Sequence, residues 1–377
     1  MRLEVDIDAQ CGLARTGKVA TARGSFEVPC FMPVGTRGSI RALGTHQLEE
    51  LSSPGGVRAE VMLCNTYHLM LRPGAGVVES LGGLHAFTGF GGHMLTDSGG
   101  YQVFSLDPEV TDRGAEFRST YDGSRHLLTP ESAVRTQEML GADMQMVLDV
   151  CAPLPSPRPL LAEAVERTAL WARRAREAHE RTADQALLGI VQGGTDAELR
   201  RRSAGWTVEL DFDGYAIGGL SVGEPRSEML PALEAALEVL PESQPRYLMG
   251  VGDPISIVEA VARGVDMFDC VLPTRLARHG TLLTDRGRLN IKRAEFASSE
   301  EPVDPGCGCA TCSRYSRGYL RHLMRVREPA GAILCTIHNL TWMFALVEAT
   351  RSAIRDGSLD ALRRRVAEAH GDGFDGE

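Results

Sequence analysis

The feature that most constrains this chain is a recurrence of three parts: a short, continuously apolar run, a break residue at its end, and then a stretch of helical character. "EVMLCNTYHL" breaks at Asn65, "HMLTDSGG" at Asp97, "MQMVLDVC" at Asp149 and "LLGIVQGG" at Gln192. "YAIGGL" breaks at Gly218, "YLMGVG" at Met249 and "VDMFDC" at Asp269. Helix signals lie between them. Thr129-Pro130-Glu131 supplies a cap, a first-turn proline and a first-turn acid ahead of "SAVRTQEML", and Asp253-Pro254 opens "ISIVEAVARG" in the same way. "LLAEAVERTALWARRAREAHE" carries apolar residues at the three-to-four spacing of an amphipathic helix. Continuous apolar strands alternating with helices imply a parallel sheet covered on both faces. About seven such units predict an α/β fold of the (β/α)8 TIM-barrel type. An open doubly wound sheet is the alternative, disfavoured because no G-x-G-x-x-G opens an early helix. In such a barrel the active site sits at the C-terminal strand ends, where the break residues fall.

Composition narrows the setting. A chain of 377 residues that is 43% hydrophobic and 24% charged has the make-up of a globular protein. The N-terminal segment has no apolar signal core, and no run reaches the roughly 18 apolar residues of a membrane span, so a cytoplasmic protein is expected. Nine scattered cysteines fit a reducing compartment better than a disulfide framework. A net charge of −10 argues against a general nucleic-acid coat, whose binding rests on lysine and arginine.

"CGCATC" supplies Cys307, Cys309 and Cys312, and "TIHNL" supplies His338. Zinc favours four thiolate or imidazole ligands in a tetrahedron, and clustered cysteines with one distant partner are how chains build such a site. Cys335 competes with His338 as fourth ligand. "AILC" reads as an apolar strand holding Cys335 as a small core residue, which favours His338. With no acid or second histidine nearby, the ion is expected to be structural, one per chain. Around this knot the charge reverses. Residues 271–327 carry Arg275, Arg278, Arg286, Arg288, Lys292, Arg293, Arg314, Arg317, Arg321, Arg325 and Arg327 against Asp285, Glu295, Glu300, Glu301 and Asp304. A basic segment in an acidic protein suggests docking to a phosphate backbone; a solvated face balancing acids elsewhere is the plainer alternative.

Asp97, Asp149 and Asp269 end separate strands, so a barrel would gather them at one mouth. Two carboxylates roughly 5 Å apart can divide glycosidic chemistry between nucleophile and acid/base, and a third can accept from adjacent donors on a base edge. A lone aspartate would more simply be a helix cap. Three together, beside glycine-rich strand ends, point to a site.

"LTDSGGYQVFSL", "LGIVQGG", "AIGGLSVGE", "YLMGVG", "GVDMFDCVLPTRLARHGTLLT" and the "CGCATC…H" knot resemble the tRNA-guanine transglycosylase family. "FMPVGT" and "CNTYHLMLRPG" extend the resemblance over nearly the whole chain, in the family's order. The resemblance implies an irregular (β/α)8 barrel over 1–377, with a zinc-bearing lobe at 300–345 and a frayed tail at 371–377. It implies exchange of guanine for a 7-deazaguanine at the wobble position of tRNAs with GUN anticodons (Asp, Asn, His, Tyr), as a step of queuosine biosynthesis. By motif, Asp269 would be the nucleophile at ribose C1′ and Asp97 the general acid/base. Asp149 would accept from the base's N1–H and amine, while Gln192 and the Gly219 N–H donate to O6. Tyr101 and Met249 would sandwich the ring. Ser98, Gly99 and Gly100 would keep the wall beside Asp97 low, and Leu220 would complete the pocket. Asn65 is expected to hydrogen-bond near the catalytic acids.

"GVGDPIS" (Gly250, Val251, Gly252, Asp253, Pro254, Ile255, Ser256) and "TRLAR" (Thr274, Arg275, Leu276, Ala277, Arg278) would hold the flanking nucleotides. Cys151 and Val222 are similar to bacterial members, which implies 7-aminomethyl-7-deazaguanine as the incoming base. Val150 departs from the glutamate common beside the recognition aspartate, leaving Glu224 or a backbone carbonyl to meet the aminomethyl group. Thr341 stands where a basic residue is usual, which reads as a smaller tRNA footprint. The family commonly forms homodimers through the zinc lobe, for which Tyr315, Tyr319 and His322 offer rings. A hydrolytic nucleosidase and a non-catalytic tRNA-binding subunit are the competing readings; the basic lobe opposes the first, and the intact Asp97 and Asp269 oppose the second.

Overall fold

A computed structural model describes residues 2–51 and 58–371. Beyond Gly371, the expected frayed tail lies outside the described residues. The apolar runs form eight parallel strands: β1 (Cys30–Pro33), β2 (Val61–Asn65), β3 (His93–Asp97), β4 (Met144–Met146), β5 (Ala186–Val191), β6 (Gly214–Ile217), β7 (Arg246–Leu248) and β8 (Met267–Cys270). Their spatial order is β1-β8-β7-β6-β5-β4-β3-β2. The two ends of that order meet through a bridge between Val34 and Leu63 and a 2.7 Å hydrogen bond from the Gly35 N–H to the Leu63 carbonyl. A single bridge in place of a full ladder closes the barrel irregularly. Every residue of β2 and of β4 to β7 is buried, as expected of strands covered on both faces.

The helices form where the punctuation places them. Pro130–Leu140 starts at Thr129, whose side chain accepts from the Ser132 N–H at 3.2 Å while the Ser132 hydroxyl meets the Thr129 N–H at 2.8 Å. Arg158–Ala178 turns Leu161, Ala164, Val165, Thr168, Trp171, Ala172 and Ala175 inward.

Acids at the N-terminal strand ends are structural. Asp143, Asp213 and Asp266, each just before its strand, accept from the backbone N–H groups of Met94, Leu187 and Arg246 at 2.7, 2.9 and 2.8 Å. Asp266 also holds the buried Arg15 guanidinium at 2.9 and 2.7 Å. That pair ties an antiparallel N-terminal sheet (Val5–Cys11, Ala14–Thr21, Gly24–Val28) to the barrel floor. A second antiparallel sheet (Glu109–Thr111, Gly114–Arg118, Arg125–Leu128) rises between β3 and β4.

"AILC" is not a strand. It lies inside the helix Pro329–Arg355, which spans 27 residues. This helix has the length and composition to cross a membrane, yet 72% of its most apolar window is buried within the protein, so it serves as a core helix. Arg351 fastens its end to the barrel, donating to the carbonyls of Pro29 (2.8 Å) and Glu27 (3.0 Å) and to the Glu27 carboxylate (2.8 Å).

Candidate active site

A cavity of about 300 Å³ opens at the C-terminal ends of the strands. Its lining brings together Asn65, Asp97, Ser98, Gly99, Gly100, Tyr101, Asp149, Cys151, Gly219, Leu220, Val222, Met249, Gly250 and Asp269. Residues far apart in sequence converge because each ends or follows a strand of one closed sheet.

Asp97 ends β3, where Asn65 is its register partner on β2. Both carboxylate oxygens are engaged: Oδ2 accepts from Asn65 Nδ2 at 2.7 Å, and Oδ1 from the N–H groups of Thr66 (3.1 Å) and Gly99 (3.0 Å). The expected Asn65 contact is therefore present. Burial nevertheless pushes the Asp97 carboxyl up to about 7, with the charge of Asp269 adding to the rise and the three donors opposing it. Gly99 has φ +78°, and a Cβ there would meet the Tyr67 N at 2.8 Å. The turn after Asp97 thus needs glycine for its own geometry as well as for access. A Cβ on Gly100 would come within 3.2 Å of the Asp149 carboxylate.

Asp269 is held differently. One oxygen, Oδ1, accepts both from the Tyr247 hydroxyl (2.5 Å) and from the Gly250 N–H (2.7 Å). Among the described residues, no hydrogen bond engages its Oδ2. Burial raises its pKa, and the two donors oppose that rise.

Asp149 lies three residues beyond β4 and accepts from Gln192 Nε2 at 2.5 Å. Burial lifts it to about 6, against the hydrogen bonds from Gln192 and Ser98. Gln192 is itself buried, immediately beyond β5. Gly219 follows with φ +63°, where a Cβ would lie 2.2 Å from Gln192 Oε1. Arg200, fully buried, braces this wall: it donates to the carbonyls of Gly194 (2.8 Å), Val191 (3.1 Å), Gly218 (2.7 Å) and Gly219 (3.0 Å). Burial holds the Cys151 thiol protonated, up to about 12.

A family model described as "Queuine tRNA-ribosyltransferase" matches residues 9–372. This chain belongs to that family. It is 51% identical over 352 residues to the queuine tRNA-ribosyltransferase of Pelotomaculum thermopropionicum, which covers 93% of each chain. Against the protein of that name from Lysinibacillus sphaericus it is 48% identical over 360 residues, 95% of this chain and 93% of the relative. The Halothermothrix orenii protein of the same name matches at 48% over 352 residues, 93% of this chain and 92% of the relative.

Some residues expected to face tRNA are buried in this member of the queuine tRNA-ribosyltransferase family. Val251, Gly252, Pro254, Ile255 and Ser256 lie inside, and Asp253 caps the helix Pro254–Val261 while pairing with Arg226 at 3.1 Å. Thr274 and Ala277 are buried on the inner face of the helix Leu272–His279, and Leu276 is half-buried. Gly250 and Arg275 are exposed, and Arg278 is partly so. Thr341 is also buried. Val150 packs into the apolar cluster with Phe117, Leu148 and Trp171. Glu224 is engaged by its own loop, accepting from the N–H groups of Ser221 and, at 3.0 Å, Val222.

Cys307, Cys309, Cys312 and His338 place their ligand atoms within 4.8 Å of one another. His338 Nδ1 lies 3.7, 3.6 and 3.3 Å from the three sulfurs. A zinc tetrahedron with bonds of roughly 2.0–2.3 Å has edges of about 3.5–3.8 Å, so the donor set fits zinc. His338 Nε2 bonds the Leu283 carbonyl at 2.8 Å, which makes Nε2 the protonated nitrogen and leaves Nδ1 to ligate. Cys335 is buried, one helical turn before His338 and outside the group.

Two residues that shape this site, Tyr247 and Arg200, carry little signal in the sequence. Tyr247 was hidden inside an apolar strand, and Arg200 among the arginines of "ELRRR". A polar-tipped ring in a continuously apolar run was the only available signal for the first; nothing local marked the second.

Proposed function

We propose that this chain is a pentosyltransferase that exchanges guanine at the wobble position of tRNAs with GUN anticodons for 7-aminomethyl-7-deazaguanine. The observation that carries the division of labour is the unequal bonding of the two carboxylates. Asp269 has its negative charge stabilised at Oδ1 by two donors, leaving Oδ2 to attack. Asp97, lifted to about 7, exchanges a proton near neutrality.

In the first displacement an Asp269 oxygen bonds to ribose C1′ as the bond to guanine breaks, and Asp97 gives its proton to the leaving base. In the second, Asp97 takes a proton from the incoming base, whose nitrogen attacks C1′ and releases the Asp269 carboxylate. Two displacements give net retention. Asp149, Gly219, Tyr101 and Met249 line the cavity, which supports Asp149 and Gly219 reading the base edge and Tyr101 and Met249 stacking on the ring; Gln192, whose Nε2 is bonded to Asp149, would have to turn from it to donate to O6. With Val150 packed inward and Glu224 bonded within its loop, a backbone carbonyl of the cavity wall would meet the aminomethyl substituent. Zinc would be held by Cys307, Cys309, Cys312 and His338 and would supply cross-linking of the lobe. Tyr319, half-exposed and stacked on Tyr315 at 5.4 Å, and the exposed His322 would face a second copy in a homodimer.

The test is an exchange assay with labelled guanine in GUN-anticodon tRNA, chased in parallel with guanine, queuine and the aminomethyl base. Displacement by the aminomethyl base at the highest kcat/KM is expected. Release of free base and ribose to water without exchange would support a nucleosidase instead.

A further inference from the structure

We propose that Arg37, Tyr121 and Arg72 form a second RNA contact, two guanidinium groups held by cation–π contact with one ring, that grips the tRNA strand beside the cavity; this rests on the function proposed above. Both guanidinium groups lie over the Tyr121 ring, the Arg37 carbon 5.4 Å and the Arg72 carbon 4.5 Å from its centroid. Its hydroxyl meets His68 Nδ1 at 3.0 Å. The His68 N–H donates to Asn65 Oδ1 at 3.1 Å, and Asn65 in turn bonds Asp97. A short hydrogen-bonded chain thus fixes the ring to the wall that carries the catalytic acid, and Thr36, next to Arg37, lines the cavity itself.

Arg37 and Arg72 are exposed, and among the described residues neither has an ion-pair partner. Other exposed arginines, such as Arg158, Arg201 and Arg202, are paired with carboxylates and so are not free to meet an anion. Arg41 is also exposed, and its charge, with that of Arg275, adds to the lowering of the Arg278 proton affinity that burial causes. These cations follow β2, β1 and β8, joined in that order by the Val34–Leu63 bridge and the β1–β8 ladder, and so gather on one side of the barrel mouth. Like charges gathered without counter-charges call for a polyanion. Cation–π contact with Tyr121 holds both guanidinium planes in place, leaving their edges for bidentate phosphate contact and a flat surface for an unstacked base. Single-stranded RNA at an opened anticodon loop has both features.

The experiment uses the full chain. Binding of GUN-anticodon tRNA is measured against salt concentration for wild type, an Arg37→Gln/Arg72→Gln variant and an Arg364→Gln/Arg365→Gln control of equal charge change on the helix Leu359–His370. Because neither Arg37 nor Arg72 is buried or ion-paired, the variant should fold normally. The expected result is a Kd raised about tenfold or more and a log–log salt slope reduced by about 1.4, for two single-strand phosphate contacts. The control, the KM for free base and kcat at saturating tRNA should stay at wild-type values. A variant with wild-type Kd and slope, or one that loses kcat with Kd unchanged, overturns the contact alone. A wild-type protein that does not bind tRNA overturns the proposed function with it.

Discussion

Replacing Tyr247 with Phe removes one hydroxyl and leaves the ring that fills β7. In the wild type that hydroxyl donates to Asp269 Oδ1 at 2.5 Å, with the Gly250 N–H as the second donor. Burial raises the Asp269 pKa and the Tyr247 bond is the larger of the two effects that oppose it, so the substitution must raise it further. A hydrogen bond to a charged group is worth about 1.5–3 kcal/mol, which corresponds to about one to two pH units. The readout is the rate of covalent adduct formation at saturating tRNA, without free base, across pH. This step needs Asp269 ionised and Asp97 protonated. The acid limb of the Tyr247→Phe profile should therefore move up by about one to two units, narrowing the active window toward the alkaline limb set by Asp97 near 7. Stability should follow the same sign. A carboxyl whose folded pKa lies above its unfolded value destabilises the fold once pH exceeds the unfolded value, so the variant's deficit should grow from acid to neutral pH. A uniform loss of rate with the acid limb unmoved would refute the reasoning and make the phenol a positioning group only.

Three further outcomes follow from the same geometry. Because the Asp97 carboxyl is pushed up to about 7, adduct formation should fall as pH rises through that value, while release by incoming base should fall as pH drops through it; pre-steady-state measurement of the two steps separates them. Arg200→Met strands the carbonyls of Gly194, Gly218 and Gly219, at about 1–3 kcal/mol each. It should raise the KM for free base and lower Tm with tRNA affinity unchanged, as kinetics and thermal melts would record. Cys309→Ser should reduce bound zinc well below one ion per chain by metal analysis and lower the melting temperature, leaving the pKa values of the barrel carboxylates where they were.

The barrel was legible because covered parallel strands impose continuous apolar runs, and seven of the eight ended in a visible break. β1 did not stand out, since Cys30–Pro33 is four residues long and set between Pro29 and Pro33. The strand assigned to "AILC" failed for the opposite reason. A four-residue apolar run has no measurable period, and only the 27-residue segment in which it sits shows a helix. Asp97, Asp149 and Asp269 were findable by position at strand ends, but their environments were not. Whether a carboxylate receives two donors on one oxygen or three shared across both depends on Tyr247, Gly250, Asn65 and Thr66, which only folding brings near. For the same reason the buried Asp143, Asp213 and Asp266 look alike in sequence to the site acids, although they bond neighbouring strands at the opposite end of the barrel.

The central claim is the covalent role of Asp269, and it is tested most directly by trapping the intermediate. GUN-anticodon tRNA is incubated with the full chain in the absence of free base, denatured, separated on a gel and digested for peptide mapping. The account predicts a ribosyl ester on Asp269, absent from Asp269→Ala and discharged by added base. An adduct that persists in Asp269→Ala, or that maps to Asp97, would contradict it.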